Sequence, residues 1–248
     1  MTRVAIVTGA TTGIGRAAAL ALGEAGWWVL ASGRDVDRGQ AVGHALAERA
    51  GGEFVAGDVN ALGMPEQLVE RASTAGTLDV LVNNAGVHFL ATVADTSPRA
   101  YDGLMATNLR AAVLLSRAAI PIMRDGGGGV IVNVSSEAGI VAVPGQAAYN
   151  ISKAGLLMLT KSIAVDHAQE GIRAVAVCPG TTRTALVDAA IESAPDPDAH
   201  ERWLESARPA RRLGRPEEIG AAIAFVASDA ASYMTGSELV IDGGYTAG

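Results

Sequence analysis

The sequence predicts a single-domain α/β fold: a Rossmann-type, doubly wound parallel sheet with helices on both faces. Three observations carry that prediction. Short runs rich in β-branched residues alternate with helical patterns along the whole chain. The runs are apolar nearly throughout, as strands covered on both faces must be. A glycine-rich turn joins the first run to the first helical pattern.

Strands are expected at 4–8, 28–32, 53–56, 78–82, 130–135, 173–178 and 238–241. Helices are expected at 15–25, 38–49, 65–72, 98–123, 149–169 and 217–227. No internal repeat or linker divides residues 1–248, so they read as one domain. One irregular stretch, about 181–212, with a charged, partly helical tail around Trp203, is long for a loop in a compact domain and reads as a substrate lid.

Composition narrows the function. Hydrophobic residues make up 49% of the 248 and charged residues 18%, which suits a folded globular chain. A net charge of −7 argues against nucleic acid as a partner. The one basic stretch, 208–215, reads as a solvated loop or the end of a helix. Cys178 is the sole cysteine and sits among apolar neighbours, so it reads as a buried small hydrophobe in a reducing, cytoplasmic setting. The first residues run straight into a strand without a leader pattern, and no apolar run reaches membrane-spanning length. His44, His88, His167 and His200 lack metal-ligand spacing, so no metal is expected.

Gly9, Gly13 and Gly15 follow the first strand and open the first helix. Glycine lets the backbone turn sharply and approach a pyrophosphate, which the helix N-terminus then attracts. Far downstream, Tyr149 and Lys153 stand four residues apart, on one face of a helix. A phenol beside an ammonium is an acid/base unit, because the positive charge favours the phenolate.

Together, Thr8-Gly9-x-x-x-Gly13-Ile14-Gly15, Asn83-Asn84-Ala85-Gly86, Ser136, Tyr149-x-x-x-Lys153 and Pro179-Gly180 resemble the short-chain dehydrogenase/reductase family in order and spacing. The resemblance runs from Val4 to Gly244. It implies a nicotinamide dinucleotide, hydride transfer between a carbonyl and a secondary alcohol, and a homotetramer. It makes Tyr149 the acid/base and Lys153 its partner, which also reaches the cofactor ribose. Ser136 then holds the reacting oxygen, in preference to Ser135, and Asn108 supports a water linked to the lysine. It also implies cofactor contacts from Thr11 and Thr12 in the glycine turn, from Asp58 and Val59 at the adenine, and from Asn84, Ala85 and Gly86. Pro179, Gly180, Thr182 and Thr184 are placed near the carboxamide, although the family commonly has Ile or Val where this chain has Thr182.

The choice of dinucleotide rests on Ser32-Gly33-Arg34-Asp35. Gly33 aligns where NAD enzymes place an acid, and Arg34 where NADP enzymes place an arginine for the 2′-phosphate. Asp35 satisfies the simple count for a ribose-binding acid, so NAD(H) stays possible and NADP(H) is favoured.

The expected substrate is a small free ketone or alcohol, in a pocket lined by His88, Phe89, Val143, Gln146 and the lid. Glu137 is expected to face substrate or solvent. The alternatives are a 3-oxoacyl-[acyl-carrier-protein] reductase and an NADP(H)-binding regulator without turnover. Carrier reductases present arginines to their acidic partner; here one such position falls among Gly126–Gly129 and another at Glu170. The 98–123 and 149–169 helices and the last strand resemble the family's subunit interfaces.

Overall fold

The computed structural model describes residues Met1 to Gly248. Seven strands form one sheet: β1 (Arg3–Thr8), β2 (Trp28–Gly33), β3 (Gly52–Ala56), β4 (Thr77–Asn83), β5 (Gly129–Val134), β6 (Ile172–Pro179) and β7 (Ser237–Ile241). Their order is β3-β2-β1-β4-β5-β6-β7, and every pairing is parallel. The order reverses between β1 and β4, so the loops at their carboxyl ends part there and leave a crevice for a ligand.

Nine helices cover the sheet: α1 (Gly13–Glu24), α2 (Val36–Ala47), α3 (Met64–Ala75), α4 (Pro98–Met105), α5 (Ala111–Asp125), α6 (Ala147–His167), α7 (Ala185–Glu192), α8 (Pro197–Ser206) and α9 (Pro216–Ala227). On one face Leu22 of α1, Leu46 of α2 and Ile223 of α9 pack over Val7, Val29 and Val132. On the other, Leu68 of α3, Leu115 of α5 and Ile163 of α6 pack over Ile6, Leu81 and Ile131. Alternate strand residues thus feed opposite cores, which is why the strands lack a polar face.

Two expectations are refined. The stretch 98–123 is helical throughout, but a π-helical turn, Ala106–Arg110, joins α4 to α5. Within residues 181–212 the helical tail around Trp203 is α8, capped by Asp196, and a further helix, α7, capped by Thr184, precedes it. The two ends of that excursion meet, because Arg183 N donates to Gly214 O at 2.8 Å and Gly214 N donates to Thr181 O at 3.0 Å.

Candidate active site

The glycine turn is built for a close approach. Gly9 and Gly13 have φ of 64° and 53°, a region that side chains rarely adopt. A Cβ at Gly15 would lie 2.2 Å from Gly9 O, so only glycine fits there. Thr12 precedes α1 but makes no side-chain cap, and the first turn holds no acid. The amides that open α1 are thus left for an anion, and a cofactor pyrophosphate fits them.

Asn84 fastens the next loop to this turn. Its amide donates to Thr8 O at 2.9 Å and Gly9 O at 3.1 Å. Thr8 Oγ1 in turn accepts from the backbone N–H of Asn84 and of Ala85. Thr184 closes the other side, since a Cβ at Gly13 would meet its methyl at 3.0 Å. Thr182 is buried beyond β6, with its hydroxyl donated to Gly180 O at 2.9 Å. Val59 is buried, while Asp58 is exposed and folds one oxygen back onto Asn60 N at 2.9 Å.

At the end of β2, Asp35 is occupied: it caps α2 by accepting from Arg38 N at 3.0 Å and pairs with the Arg38 side chain. Arg34 is exposed and has no acidic partner. A Cβ at Gly33 would lie 2.7 Å from the Thr11 methyl, so this turn has no room for an acid at that position without moving Thr11.

Ser136, Tyr149, Lys153 and Asn108 converge. Ser136 ends the loop after β5, where its hydroxyl accepts from Ala138 N at 3.1 Å and favours the ionised form of the Tyr149 phenol. Ser135 points elsewhere: it donates to Lys153 O at 2.8 Å and holds α6 against the sheet. Lys153 is buried and donates to Val134 O at 2.8 Å, with its Nζ 5.5 Å from the centre of the Tyr149 ring. A Cβ at Gly86 would come within 3.7 Å of that Nζ and 3.5 Å of Asn108 Oδ1, so the 84–86 turn borders the cluster.

Asn108 sits in the π-helical turn. There it accepts from Val87 N at 2.8 Å and donates to Val87 O at 2.9 Å and Ser152 Oγ at 3.1 Å. A π turn shifts the helical register by one residue, a device common at functional sites. Nothing in the residue pattern announced it.

The electrostatics depart from the simple expectation. Tyr149 keeps part of its surface exposed, yet burial pushes its phenol up to about 12; the Ser136 hydroxyl pulls it down and the Glu137 charge adds to the rise. Burial also brings the Lys153 ammonium down to about 8. Desolvation disfavours the charged form of each group, so the phenolate gains no net ease from the chain alone. Cys178 is fully buried and burial pushes its thiol up to about 12, which leaves it inert.

His88 packs edge-on to Tyr149, with ring centres 4.9 Å apart. It lines a cavity of about 390 Å³ with Val87, Phe89, Arg99 and Leu104. Gln146 and Val143 do not line that cavity.

Two features escaped the sequence reading. Asn83, Asn133, Ser116 and Thr160 form a buried hydrogen-bonded chain beneath the site. Glu137 does not face solvent: it is buried against Arg208, which is therefore no part of a solvated loop. The pair is 71 residues apart in sequence, so no local spacing signals it.

A phenol, a hydroxyl and an ammonium beside an anion-accepting glycine turn can move a proton where a dinucleotide is held. A family model described as "Enoyl-(Acyl carrier protein) reductase" matches residues 9–246. An "Uncharacterized oxidoreductase" of Thermotoga maritima is 44% identical, covering 99% of this chain and 98% of its own. Cis-4-hydroxycyclohexanecarboxylate dehydrogenase of Sinomonas cyclohexanicum is 41% identical over 99% of this chain and 97% of its own. The crystal structure of a protein assigned as a short-chain alcohol dehydrogenase, from Sinorhizobium meliloti 1021, superposes with a TM-score of 0.92 at 35% identity, covering 100% of this chain and 98% of that one. The chain belongs to the short-chain dehydrogenase/reductase family, and is a nicotinamide-dependent oxidoreductase of alcohol and carbonyl groups.

Proposed function

We propose that the protein interconverts a small, free carbonyl compound and its secondary alcohol with NADP(H), through Ser136, Tyr149 and Lys153. The convergence of these three side chains beside the glycine turn carries the reading. When bound, the nicotinamide supplies or accepts the hydride. Ser136 donates to the substrate oxygen and holds it near Tyr149. In reduction Tyr149 gives that oxygen its proton; in oxidation it takes the proton back. Lys153 keeps a positive charge beside the phenol, and Asn108 fixes Val87 and Ser152 around it. Gly9, Thr11, Thr12, Gly13, Ile14 and Gly15 cradle the pyrophosphate, Asp58 and Val59 flank the adenine, and Asn84, Ala85, Gly86, Pro179, Gly180, Thr182 and Thr184 complete the cleft.

NADP(H) is preferred because Arg34 is unpaired at the end of β2 while Asp35 is committed to capping α2. A free substrate is preferred over a carrier-bound one because the chain carries a net charge of −7 and places Glu170 where a carrier reductase needs an arginine. Arg99, without an acidic partner, brings a cation to the cavity beside Tyr149 and favours substrates that bear a carboxylate. A regulator without turnover has no use for the intact serine, tyrosine and lysine set. The 181–212 segment acts as the lid.

We also propose a homotetramer in the cytoplasm. Ile151, Met158 and Val165 lie two turns apart on α6 and are 49%, 62% and 83% exposed, an apolar stripe that suits a subunit contact.

The test is NADPH and NADH absorbance against ketones with and without a carboxylate, among them 4-oxocyclohexanecarboxylate and cyclohexanone. NADPH-linked turnover supports the reading. Clear NADPH binding with no turnover of any ketone or alcohol favours the regulator.

A further inference from the structure

The lid over the site is a unit that buries little. α8 buries none of its residues and α7 only Ile191. Arg183 clasps the two helices together, paired with Asp188 of α7 at 3.3 Å and with Glu201 of α8. A segment with so little buried surface belongs to the least stable part of a fold, so its anchors decide whether it opens. Its far end is anchored by one buried side chain that the reaction scheme does not use, Arg208.

Arg208 follows α8, and its Nη2 stands 2.6 Å from Glu137 Oε1, with only 4% and 8% of the two side chains exposed. Its Nη1 donates to Leu204 O at 2.7 Å, and Nη2 also donates to Thr181 Oγ1. One guanidinium thus ties the last turn of α8 to the loops after β5 and β6. Glu137 directly follows Ser136 and opens the 3₁₀ turn that the Ser136 hydroxyl caps, so the lid is tied to the loop that presents Ser136. A backbone bond, from Ala210 N to Gly243 O at 3.0 Å, holds the same corner to the C-terminal turn. Just beyond it Arg211 has a φ of 56°, the sole non-glycine residue with a positive value, so the corner is held in a conformation that side chains rarely adopt.

We propose that the Arg208–Glu137 pair is the latch of the lid: engaged, it holds the end of α8 against the loop that carries Ser136, and released, it frees α7 and α8 to swing from the base at Thr181 and Gly214. This rests on the 181–212 segment being the substrate lid. Proton uptake by Glu137 is the release. Its Oε1 is bonded to Arg208, while Oε2 is buried without a hydrogen-bond partner and is free to take the proton. Burial pushes this carboxyl up to about 7, and Arg208 pulls it down. The other ionisable groups around it are Asp242, which borders Gly180 as Glu137 does and adds to the rise, and Tyr149 from α6. A guanidinium keeps its proton throughout this range. Neutralising Glu137 therefore leaves Arg208 as a buried cation with no opposite charge in contact, and water becomes the better place for it. The latch closes as pH rises through about 7 and opens as pH falls through it.

The test is hydrogen–deuterium exchange of the full-length protein at about pH 8 and pH 6, with labelling times scaled to the intrinsic exchange rate at each. Arg208→Met leaves Glu137 to take up a proton in place, so the lid loses its tether without a bare charge. At the higher pH this variant is expected to exchange about ten-fold faster in peptides from 184–206, while β1, β4 and β5 exchange as in wild type. Wild type is expected to lose a similar factor of lid protection at the lower pH. Glu137→Gln is expected to exchange fast at both, which separates Glu137 from His200 of α8. Equal lid protection in Arg208→Met and wild type at the higher pH overturns the proposal, as does wild-type protection that is the same at both. A pH-dependent loss that persists in Glu137→Gln, or a loss spread evenly over the sheet, overturns it too. Should Arg208→Met fail to fold, the pH comparison of wild type with Glu137→Gln decides alone. Exchange needs no turnover, so failure here is separable from that of the proposed function, which falls if Tyr149→Phe keeps its turnover.

Discussion

Lys153 directs its ammonium at the backbone carbonyl of Val134, 2.8 Å away, and stands 5.5 Å from the centre of the Tyr149 ring. The lysine is thus anchored to β5 beneath the tyrosine, as a charge fixed in place. Its folded value of about 8 lies below its ordinary 10.5, because burial penalises the ammonium. Between those values the unfolded chain binds more protons than the folded one, so stability rises with pH through that window. At neutral pH the buried charge is a cost kept for chemistry.

Lys153→Met is therefore expected to abolish turnover while stabilising the fold at pH 7 by about 1–2 kcal/mol, the relief of desolvation less one lost hydrogen bond. The advantage over wild type shrinks as pH rises from about 8 towards 10.5. Thermal melts across that range check it; a variant less stable than wild type at neutral pH contradicts the account.

Ser135 and Ser136 are adjacent yet should separate cleanly. Ser136→Ala is expected to lower kcat at least about a hundred-fold, since its hydroxyl serves the reacting oxygen, and to cost about 1 kcal/mol of stability through the lost cap on Ala138 N. Ser135→Ala loses the bond to Lys153 O and should cost about 1–2 kcal/mol of stability, with kcat within a factor of about ten. Paired kinetics and denaturant titrations of both variants decide; equal kinetic losses would mean the two roles are not divided this way.

Asn108→Ala removes three hydrogen bonds and strands the backbone of Val87 in a partly buried place. A loss of about 2–4 kcal/mol is expected in urea unfolding, with lowered kcat. Asn108→Asp keeps the acceptor for Val87 N and loses the donor, so it should fall between wild type and Ala.

Most of the architecture was legible in the sequence. The parallel sheet follows from apolar strands with no polar face, and its switch point from the glycine turn after β1. Residues that act through neighbours in sequence were also readable: Tyr149 and Lys153 share one turn of α6. Interactions across segments were not. The π turn at Ala106–Arg110 holds Asn108, which bonds Val87, and helical periodicity is blind to it. Glu137 was expected to face substrate or solvent and Arg208 to be solvated, because the partner of each lies on a distant loop. The commitment of Asp35 to α2 likewise shows only once Arg38 is placed beside it.

Arg34→Ala is expected to raise KM for NADPH about ten-fold or more, through loss of a charge-assisted contact, while KM for NADH changes little. Steady-state kinetics with both dinucleotides check this. Equal shifts would remove Arg34 from any role in telling them apart.

The most direct measurement compares Tyr149→Phe with wild type for both NADPH binding, by fluorescence titration, and NADPH-linked reduction of 4-oxocyclohexanecarboxylate. The account predicts binding within a few-fold of wild type and a kcat reduced about a thousand-fold, the scale of a lost acid/base group. A variant that keeps kcat within about ten-fold of wild type would contradict the assignment of Tyr149 as the group that moves the proton.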